Sequence, residues 1–210
     1  MPANVERTIA SLTRKFVRAR YEEDAESANA WIKTLFRPGM VVASGNSLTL
    51  RQLGIFDFLA DPARHDLSFV NQFEEGISPE ENLARRKRGA LADLYLLSAN
   101  ALTEDGKICC LDGKGNRAGA LLFGPDKVLV VVGANKIVAD EAAAWERIRN
   151  YVAPRTAVLL KRNLPCAVDG RCHDCNSPMR FCHDFVTVDG QLERDRERIS
   201  VLIVGRELGI

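Results

Sequence analysis

The sequence predicts an α/β protein with a parallel-rich sheet flanked by helices, an N-terminal helical segment and a Cys-rich C-terminal segment. Three observations lead to this fold class. Short apolar runs alternate with helical patterns from residue 40 to residue 152, as in the strand–helix units that build parallel sheets. The run KVLVVVG (127–133) is short, rich in β-branched residues and bounded by turn residues, which is typical of a buried strand. Hydrophobic residues make up 46% of the 210-residue chain, so a substantial core can form.

The first 37 residues predict a helical segment that precedes the α/β domain. Apolar residues recur at helical spacing from residue 4 to about residue 36, and Pro38-Gly39 ends the pattern. The middle of the segment, RARYEEDAES, is highly polar, so the pattern fits one long helix or two. We therefore divide the chain into a helical segment, 1–37, and an α/β domain, 38–210, which includes the Cys-rich residues 165–184.

The sequence of the α/β domain predicts an alternating series of strands and helices. Ser78, Pro79 and Glu81 have the spacing of a helix N-cap, a first helical residue and a capping partner. A second helix, 139–154, is expected to stop before Pro154, because proline lacks the backbone donor that a helix interior needs. The runs on either side of GKGN predict a hairpin. The predicted strands are MVVAS (40–44), LSFVN (67–71), DLYLLSA (93–99), KICCLD (107–112), RAGALLFG (117–124), KVLVVVG (127–133), FVTVDG (185–190) and ISVLIVG (199–205).

Composition and charge exclude several classes of protein. Lys and Arg total 29 and Asp and Glu total 28, a net charge of +1, so no global positive field is present to hold nucleic acid or an anionic lipid surface. The N-terminus lacks the unbroken apolar stretch of a signal peptide, and no apolar run approaches the ~18 residues of a membrane span. We therefore expect a soluble, cytoplasmic protein whose partners include neither nucleic acid nor a membrane.

Four polar loops follow predicted strands, at residues 44–49, 98–101, 112–117 and 133–136. Ligands collect at the carboxyl ends of the strands in an open α/β sheet, and a glycine turn before a helix N-terminus can cradle an anion. Each loop taken alone also fits an ordinary turn or helix cap, but their recurrence at strand ends favours a ligand pocket. The predicted ligand-binding residues are Gly45, Asn46, Ser47, Thr49, Asn100, Asn116, Arg117, Asn135 and Lys136.

The chemistry of this pocket is only partly defined by the sequence. The loop that carries Ser47 and Thr49, with Lys136 or Arg117, is expected to hold the anionic end of a ligand. No loop has the glycine pattern of a dinucleotide site or a P-loop, so no nucleotide cofactor is predicted. No catalytic residues are predicted, and the sequence leaves open whether the protein is an enzyme.

Four of the six cysteines, Cys166, Cys172, Cys175 and Cys182, fall within seventeen residues. In a reducing cytosol, clustered thiols indicate a metal site or redox thiols rather than disulfides. Four thiolates can hold a zinc ion in a structural site or an iron–sulfur cluster that transfers electrons, and free thiols are the third alternative. The single C-x2-C pair with two outlying cysteines does not discriminate zinc from an iron–sulfur cluster.

The motifs together resemble a known family. Three stretches are similar to the LUD domain family of lactate utilization proteins, which includes the LutC type: VASGNSLTLRQLGI (42–55), the region from LYLLSANAL through GANKIV to AWERIR (94–149), and PCAVDGRCHDCNSPMRFC (165–182). The cysteines of the third stretch resemble those of a small branch of the family with a C-terminal cysteine cluster. Within this resemblance GNR and GANKIV are the most specific elements. The resemblance implies a fold like ribose-5-phosphate isomerase and the CoA transferases, in which the first Gly-Ser/Thr loop commonly binds a phosphate or the substrate's anionic end. It also implies lactate-type metabolism with iron–sulfur partner proteins.

We therefore expect a LUD-domain protein of organic-acid metabolism that binds a small anionic metabolite in the loop pocket, with or without an iron–sulfur redox partner protein. Two alternatives remain open: a non-catalytic metabolite-sensing module, and an electron-transfer subunit with an iron–sulfur cluster at the four cysteines. The chain lacks the C-x2-C-x2-C-x3-C-P runs of ferredoxins, so lactate oxidation by this chain alone is not expected. Self-association as a homo-oligomer is a further alternative.

Overall fold

The protein consists of ten strands in two sheets and nine α-helices, in a computed structural model that describes residues Met1–Ile210. The strands are β1 (Arg18–Glu22), β2 (Val41–Ser44), β3 (Ser68–Val70), β4 (Leu94–Leu97), β5 (Ala101–Thr103), β6 (Ile108–Asp112), β7 (Lys127–Gly133), β8 (Ile137–Val138), β9 (Asp184–Val188) and β10 (Ile199–Val204). The helices are α1 (Ala3–Arg14), α2 (Ala25–Lys33), α3 (Leu48–Gln52), α4 (Ile55–Ala60), α5 (Pro79–Gly89), α6 (Asn116–Leu122), α7 (Glu141–Arg147), α8 (Ala153–Leu159) and α9 (Pro165–Asp169).

The main sheet has six parallel strands in the order β1-β10-β7-β4-β2-β3. Its centre is apolar on both faces, as a sheet covered on both sides requires. In β7, for example, Val130 and Val132 pack in one core cluster, whereas Leu129 and Val131 pack in the other. The predicted fold class, an α/β protein with a parallel-rich sheet flanked by helices, is confirmed.

The order of the main sheet brings four loops together. Since its strands are parallel, their carboxyl ends lie at one edge. Strands β10, β7, β4 and β2 are consecutive neighbours, so the segments that follow them leave the sheet side by side. This edge therefore gathers three of the four predicted ligand loops and the last residues of the chain.

The smaller sheet has the order β8-β5-β6-β9, and β6 is antiparallel to both of its neighbours. It brings the fourth predicted loop, which follows β6, toward the main sheet. Within β6, Cys109 and Cys110 are buried on opposite faces, in different core clusters, as the alternation of a strand requires. Strands β5 and β8 are too short to produce a sequence pattern and were not predicted.

The prediction of helix over residues 4–36 is wrong at its centre. Helix α1 ends at Arg14, and β1 pairs in parallel with β10 at the edge of the main sheet. In this polar run exposed residues alternate with residues that face the core. Arg18 and Arg20 are exposed, whereas Ala19 and Tyr21 pack against the core. Charged residues on the open face are typical of an edge strand. The segment 1–37 thus contributes a strand to the main sheet as well as two helices.

The predicted hairpin around GKGN is also wrong. Residues 116–122 form α6 instead of a strand, and the partners of β6 are β5 and β9. The carboxylate of Asp112 accepts hydrogen bonds from the backbone N–H groups of Arg117 (3.0 Å) and Ala118 (2.9 Å). These bonds satisfy donors that a helix N-terminus leaves free, and Gly115 at φ +74° makes the turn.

The helix predicted to stop before Pro154 continues through it. Between α7 and α8, residues Ile148–Val152 form one π-helical turn, and the N–H of Ala153 donates to the carbonyl of Ile148, five residues back. The wider turn shifts the hydrogen-bond ladder just before proline, where a donor is missing in any case.

The remaining predicted elements are confirmed to within two residues at their ends. The Ser78 hydroxyl accepts a hydrogen bond from the Glu81 N–H (3.2 Å) and caps α5 as expected. None of the helices combines the length and the apolar character needed to cross a membrane.

Candidate functional site

Three of the polar loops meet around the side chain of Lys136. This residue follows β7, and only 4% of its surface is exposed. Its Nζ donates hydrogen bonds to Thr49 Oγ1 (3.1 Å), Ser98 Oγ (2.9 Å) and the Ala99 carbonyl (3.2 Å). Thr49 lies in the first turn of α3 after β2, and Ser98 follows β4. Three neighbouring strands thus place their loops on one amine.

The Lys136 amine has an unusual electrostatic environment. Its burial, together with the positive charges of Arg147 and Arg117, lowers the pKa of Lys136 from 10.5 to about 7. Burial penalises the charged form, and the nearby positive charges act in the same direction. All three hydrogen-bond acceptors of Nζ are neutral oxygens. The amine is therefore divided between its charged and neutral forms near neutral pH.

Arg117 is fixed beside this site by neutral acceptors. Its Nη1 donates to the Ser98 carbonyl (3.2 Å), and its Nη2 donates to Asn100 Oδ1 (3.1 Å) and to the Leu111 carbonyl. The aliphatic part of the side chain lies against Gly45, where an added Cβ would be 3.0 Å from both Cγ and Cδ of Arg117. The arginine approaches so closely that a residue with a side chain would not fit at position 45, which explains why the residue there is glycine. Three residues of the predicted loops, Gly45, Ser98 and Asn100, thus contact the Arg117 side chain.

Arg147 is the third cation of the site and was not among the predicted ligand-binding residues. It projects from α7, where its Nη2 lies 3.5 Å from the Asn135 carbonyl. Its Nη1 is buried and has no hydrogen-bond partner, and burial lowers the pKa of Arg147. A helical arginine outside every loop carries no local signal of such a role. Ser98 lies in a predicted loop but is not among the predicted ligand-binding residues.

The three side chains of Lys136, Arg117 and Arg147 form what we call the cationic site. None of the three has a carboxylate as a hydrogen-bond partner. The carboxylate of Asp112 acts on Arg117, but its oxygens accept from backbone N–H groups at the start of α6. Burial alone would raise the pKa of Asp112, but Arg117 and these N–H groups outweigh burial and lower it. Positive charge in the site is therefore only partly balanced.

Four other predicted ligand residues make no hydrogen bond to the Lys136 amine. The Ser47 hydroxyl accepts from the Leu50 N–H (3.2 Å) and caps α3, and Asn46 is exposed. The structure also separates Asn116 and Asn135 from the amine. Their partners are Arg86 (2.7 Å) and the Tyr95 hydroxyl (3.4 Å) for Asn116, and the Leu208 N–H (3.1 Å) for Asn135.

Residues 205–210, which follow β10, cover the cationic site and are called here the covering segment. Gly209 has φ +69°, and a Cβ there would lie 2.5 Å from Thr49 Oγ1 and 2.9 Å from Lys136 Nζ. The segment is tied down by side chains of the site's own loops: Asn135 accepts from Leu208, and Gln52 accepts from the Gly209 N–H (2.6 Å). A ligand that reaches the Lys136 amine must displace this segment.

The LUD domain model matches residues 5–204 of the chain. The match includes all four polar loops and the three residues of the cationic site. The chain belongs to the LUD domain family. Among curated proteins, none matches it.

Solved structures similar to this LUD domain have low sequence identity to it. A DUF162 family protein from Deinococcus radiodurans is 17% identical, with a TM-score of 0.48, over 96% of both chains. eIF2B beta from Chaetomium thermophilum is 14% identical, with a TM-score of 0.36, over 57% of this chain and 44% of that one. A variant of the decarboxylase AibA/AibB is 14% identical, with a TM-score of 0.36, over 87% of this chain and 89% of that one.

The four clustered cysteines of this LUD domain lie apart from the cationic site. Cys166, Cys172, Cys175 and Cys182 all line a cavity of about 30 Å³ next to α8 and β9, and all are free thiols. No three or more His, Cys, Asp or Glu side chains are arranged so that they could hold a metal ion. The predicted metal site therefore stays a prediction.

Proposed function

We propose that this LUD domain binds a small anionic metabolite of organic-acid, lactate-type metabolism at the cationic site. The observation that carries the proposal is the grouping of Lys136, Arg117 and Arg147 with neutral oxygens as their acceptors. A buried positive charge without a counter-charge costs free energy, and a bound anion removes part of that cost. The substrate class comes from lactate utilization, from which the family takes its name.

The chemistry of the side chains supports a small carboxylate. A guanidinium presents a planar pair of donors that matches a carboxylate, and Nη1 of Arg147 has no partner of its own. The hydroxyls of Thr49 and Ser98 surround the Lys136 amine and can donate to or accept from a second oxygen. A 2-hydroxy or 2-oxo acid has both features, a carboxylate and an adjacent oxygen.

Binding of an anion is expected to be linked to a proton. A negative charge beside Lys136 favours its charged form and raises its pKa above the value of about 7 in the free protein. At pH 8 the free amine is mostly neutral, so binding should take up close to one proton per site. Isothermal titration calorimetry in two buffers of different ionisation enthalpy measures this uptake directly.

The test compares L-lactate, pyruvate and inorganic phosphate as ligands for wild type and Lys136→Met. Loss of the ammonium removes a charged hydrogen-bond donor, and we expect binding that is about tenfold weaker or worse. Lys127→Met is the matched control, because Lys127 is an exposed lysine on the strand that precedes the site. Unchanged affinity in Lys136→Met, or no binding of any of the three anions, would contradict the proposal.

Turnover of the ligand needs an electron acceptor. Oxidation of a 2-hydroxy acid to a 2-oxo acid releases two electrons and two protons. The sequence has no motif for binding a nucleotide cofactor that could accept the electrons. The family resemblance points to an iron–sulfur partner protein as the acceptor. Lactate oxidation that depends on such a partner would support this extension, whereas tight binding without turnover in its presence would favour a metabolite-sensing module.

A further inference from the structure

Four thiols from three parts of the chain converge on one small cavity. Cys166 lies in α9, Cys172 and Cys175 lie in the turn that follows, and Cys182 lies two residues before β9. The cavity measures about 30 Å³, which is large enough to hold a water molecule or a small ion. A space of this size fits a single ion and is too small for a metabolite.

The backbone around these thiols is held by side chains that have no other evident task. The Arg180 guanidinium donates from Nε to the Cys182 carbonyl (3.0 Å) and from Nη1 to the Cys175 carbonyl (2.7 Å). The N–H of Cys172 donates to Asn150 Oδ1 (3.1 Å), which ties the turn to the helical layer. Three of the four cysteines are thereby anchored through their main chain, with their thiols free.

The turn between Cys172 and Cys175 has a feature of metal–thiolate sites. The N–H of Asp174 points at Cys172 Sγ (3.5 Å), and Asp174 has the left-handed φ of +43°. A backbone N–H that donates to a cysteine sulfur is the kind of outer contact that orients a metal ligand. This strained backbone conformation is unusual for a non-glycine residue.

The segment that carries these cysteines has only a small apolar cluster, in which Cys175 and Phe181 pack against Ala157, Leu164 and Cys166. Residues 170–183 include no helix or strand and no buried residue. Segments of this kind are commonly held by a structural metal, which supplies the folding free energy that a hydrophobic core would otherwise provide.

We propose that Cys166, Cys172, Cys175 and Cys182 bind one zinc ion, which fastens residues 166–182 to the body of the protein. An all-thiolate set selects a soft or borderline metal over magnesium or calcium, and a structural role for the metal in this segment favours zinc. The thiols must rotate to reach it, since they do not now form a ligand set. Each cysteine has one side-chain torsion through which its Sγ can turn toward the cavity, and a zinc ion would draw the four sulfurs to Zn–S distances of about 2.3 Å.

The charges that line the cavity fit this assignment. Zinc with four thiolates has a net charge of −2, and Arg149 and Arg180 both line the cavity. These arginines also contact the carboxylate of Asp174, at 4.0 Å and 3.2 Å. Two cations thus border the position where excess negative charge would develop.

The ion would also fasten a loop of the cationic site. The N–H of His183, next to Cys182, donates to the Asp112 carbonyl (3.1 Å), and Gly113 lies so close to the Phe181 carbonyl that a Cβ would be 2.6 Å from it. Asp112 in turn caps the helix that carries Arg117. The zinc proposal does not depend on the proposed ligand, because it is tested by metal content.

The test is metal analysis of untagged protein purified under reductant, before and after incubation with zinc and removal of the excess. We expect one zinc per chain and a colourless protein, and we expect Cys172→Ser and Cys175→Ser to lose the ion. Cys109→Ala is the matched control, because Cys109 is a free thiol outside the cavity and should retain full zinc content.

A second measurement covers the case in which a cysteine variant fails to fold. Cobalt bound to wild type in place of zinc should give the intense visible absorption of tetrahedral cobalt thiolate. A chelator should lower the melting temperature of wild type and of Cys109→Ala. A brown iron-containing protein, less than half an equivalent of zinc after reconstitution, or full zinc content in Cys172→Ser would each overturn the proposal.

Discussion

Replacing Lys136 with methionine is expected to change how the stability of the protein depends on pH. In the folded protein the pKa of Lys136 is about 7, whereas its ordinary value is 10.5. Between these values the unfolded chain binds a proton that the folded protein does not, so the free energy of unfolding rises with pH. The full difference corresponds to about 5 kcal/mol at ~1.4 kcal/mol per pKa unit. Between pH 7 and pH 9 the rise from this group is about 2 kcal/mol.

Methionine fills a similar volume and does not titrate, so this rise should disappear in Lys136→Met. The variant also removes the hydrogen bonds from Nζ to the hydroxyls of Thr49 and Ser98, at a cost of about 0.5–1.5 kcal/mol each, although the two hydroxyls keep their contact with each other (3.3 Å). That cost affects the absolute stability but not its dependence on pH. The change in stability between the two pH values is therefore the quantity to compare.

The assay is urea unfolding, followed by circular dichroism, of wild type, Lys136→Met and Lys127→Met at pH 7 and pH 9. Burial also raises the pKa of Tyr95 and of Cys109, but these groups titrate alike in all three proteins and cancel in the comparison. We expect Lys127→Met to follow wild type and Lys136→Met to lack the increase of about 2 kcal/mol. Equal pH dependence in Lys136→Met and wild type would refute the assignment of a buried amine with a low pKa.

Three further predictions concern local contacts. Gly209→Ala should displace the covering segment and speed labelling of Lys136 by an amine reagent, detected by mass spectrometry; Gly39→Ala, with a similar φ but no atom within 4 Å of the new Cβ, should not. The ionised Asp112 carboxylate stabilises wild type, and this contribution is lost as pH falls through its lowered pKa. Asp112→Asn should therefore be less stable than wild type at neutral pH and lose less stability in acid; the same acid unfolding curve for both proteins would contradict this. Ser78→Ala should cost about 1 kcal/mol in urea unfolding, and no loss would argue against the cap.

The parts of the fold that the sequence predicted are those in which local pattern and tertiary structure agree. In β7 an apolar run is buried on both faces, so composition alone identifies it. In β1 the same backbone geometry carries charges, because an edge strand exposes one face, and the helical spacing of its neighbours obscured the alternation. Residues 116–122 became a helix because Asp112 caps them from across a turn, a contact that no spacing rule specifies.

The candidate site divides in the same way. Lys136 and Thr49 lie in loops at strand ends, where ligands bind in open α/β sheets, so their position in the sequence was enough to predict them. Arg147 reaches the site only through the packing of α7 against the smaller sheet, which the sequence does not encode as a motif. The selection of asparagines was less informative, because a side-chain amide serves equally well as a structural acceptor, as Asn116 and Asn135 do here.

The position of β10 has a consequence for how the protein is made. This strand lies between β1 and β7, so the first strand of the chain has no neighbour until the last strand has been inserted. A chain that has emerged only as far as β9 would display β7 as an open, apolar edge, and such edges recruit other chains. The register of β1 against β10, with Arg18 opposite Ser200, closes a very long loop, and pairings of this kind are slow to form. Completion of the sheet and covering of the cationic site are therefore expected to be late and coupled steps.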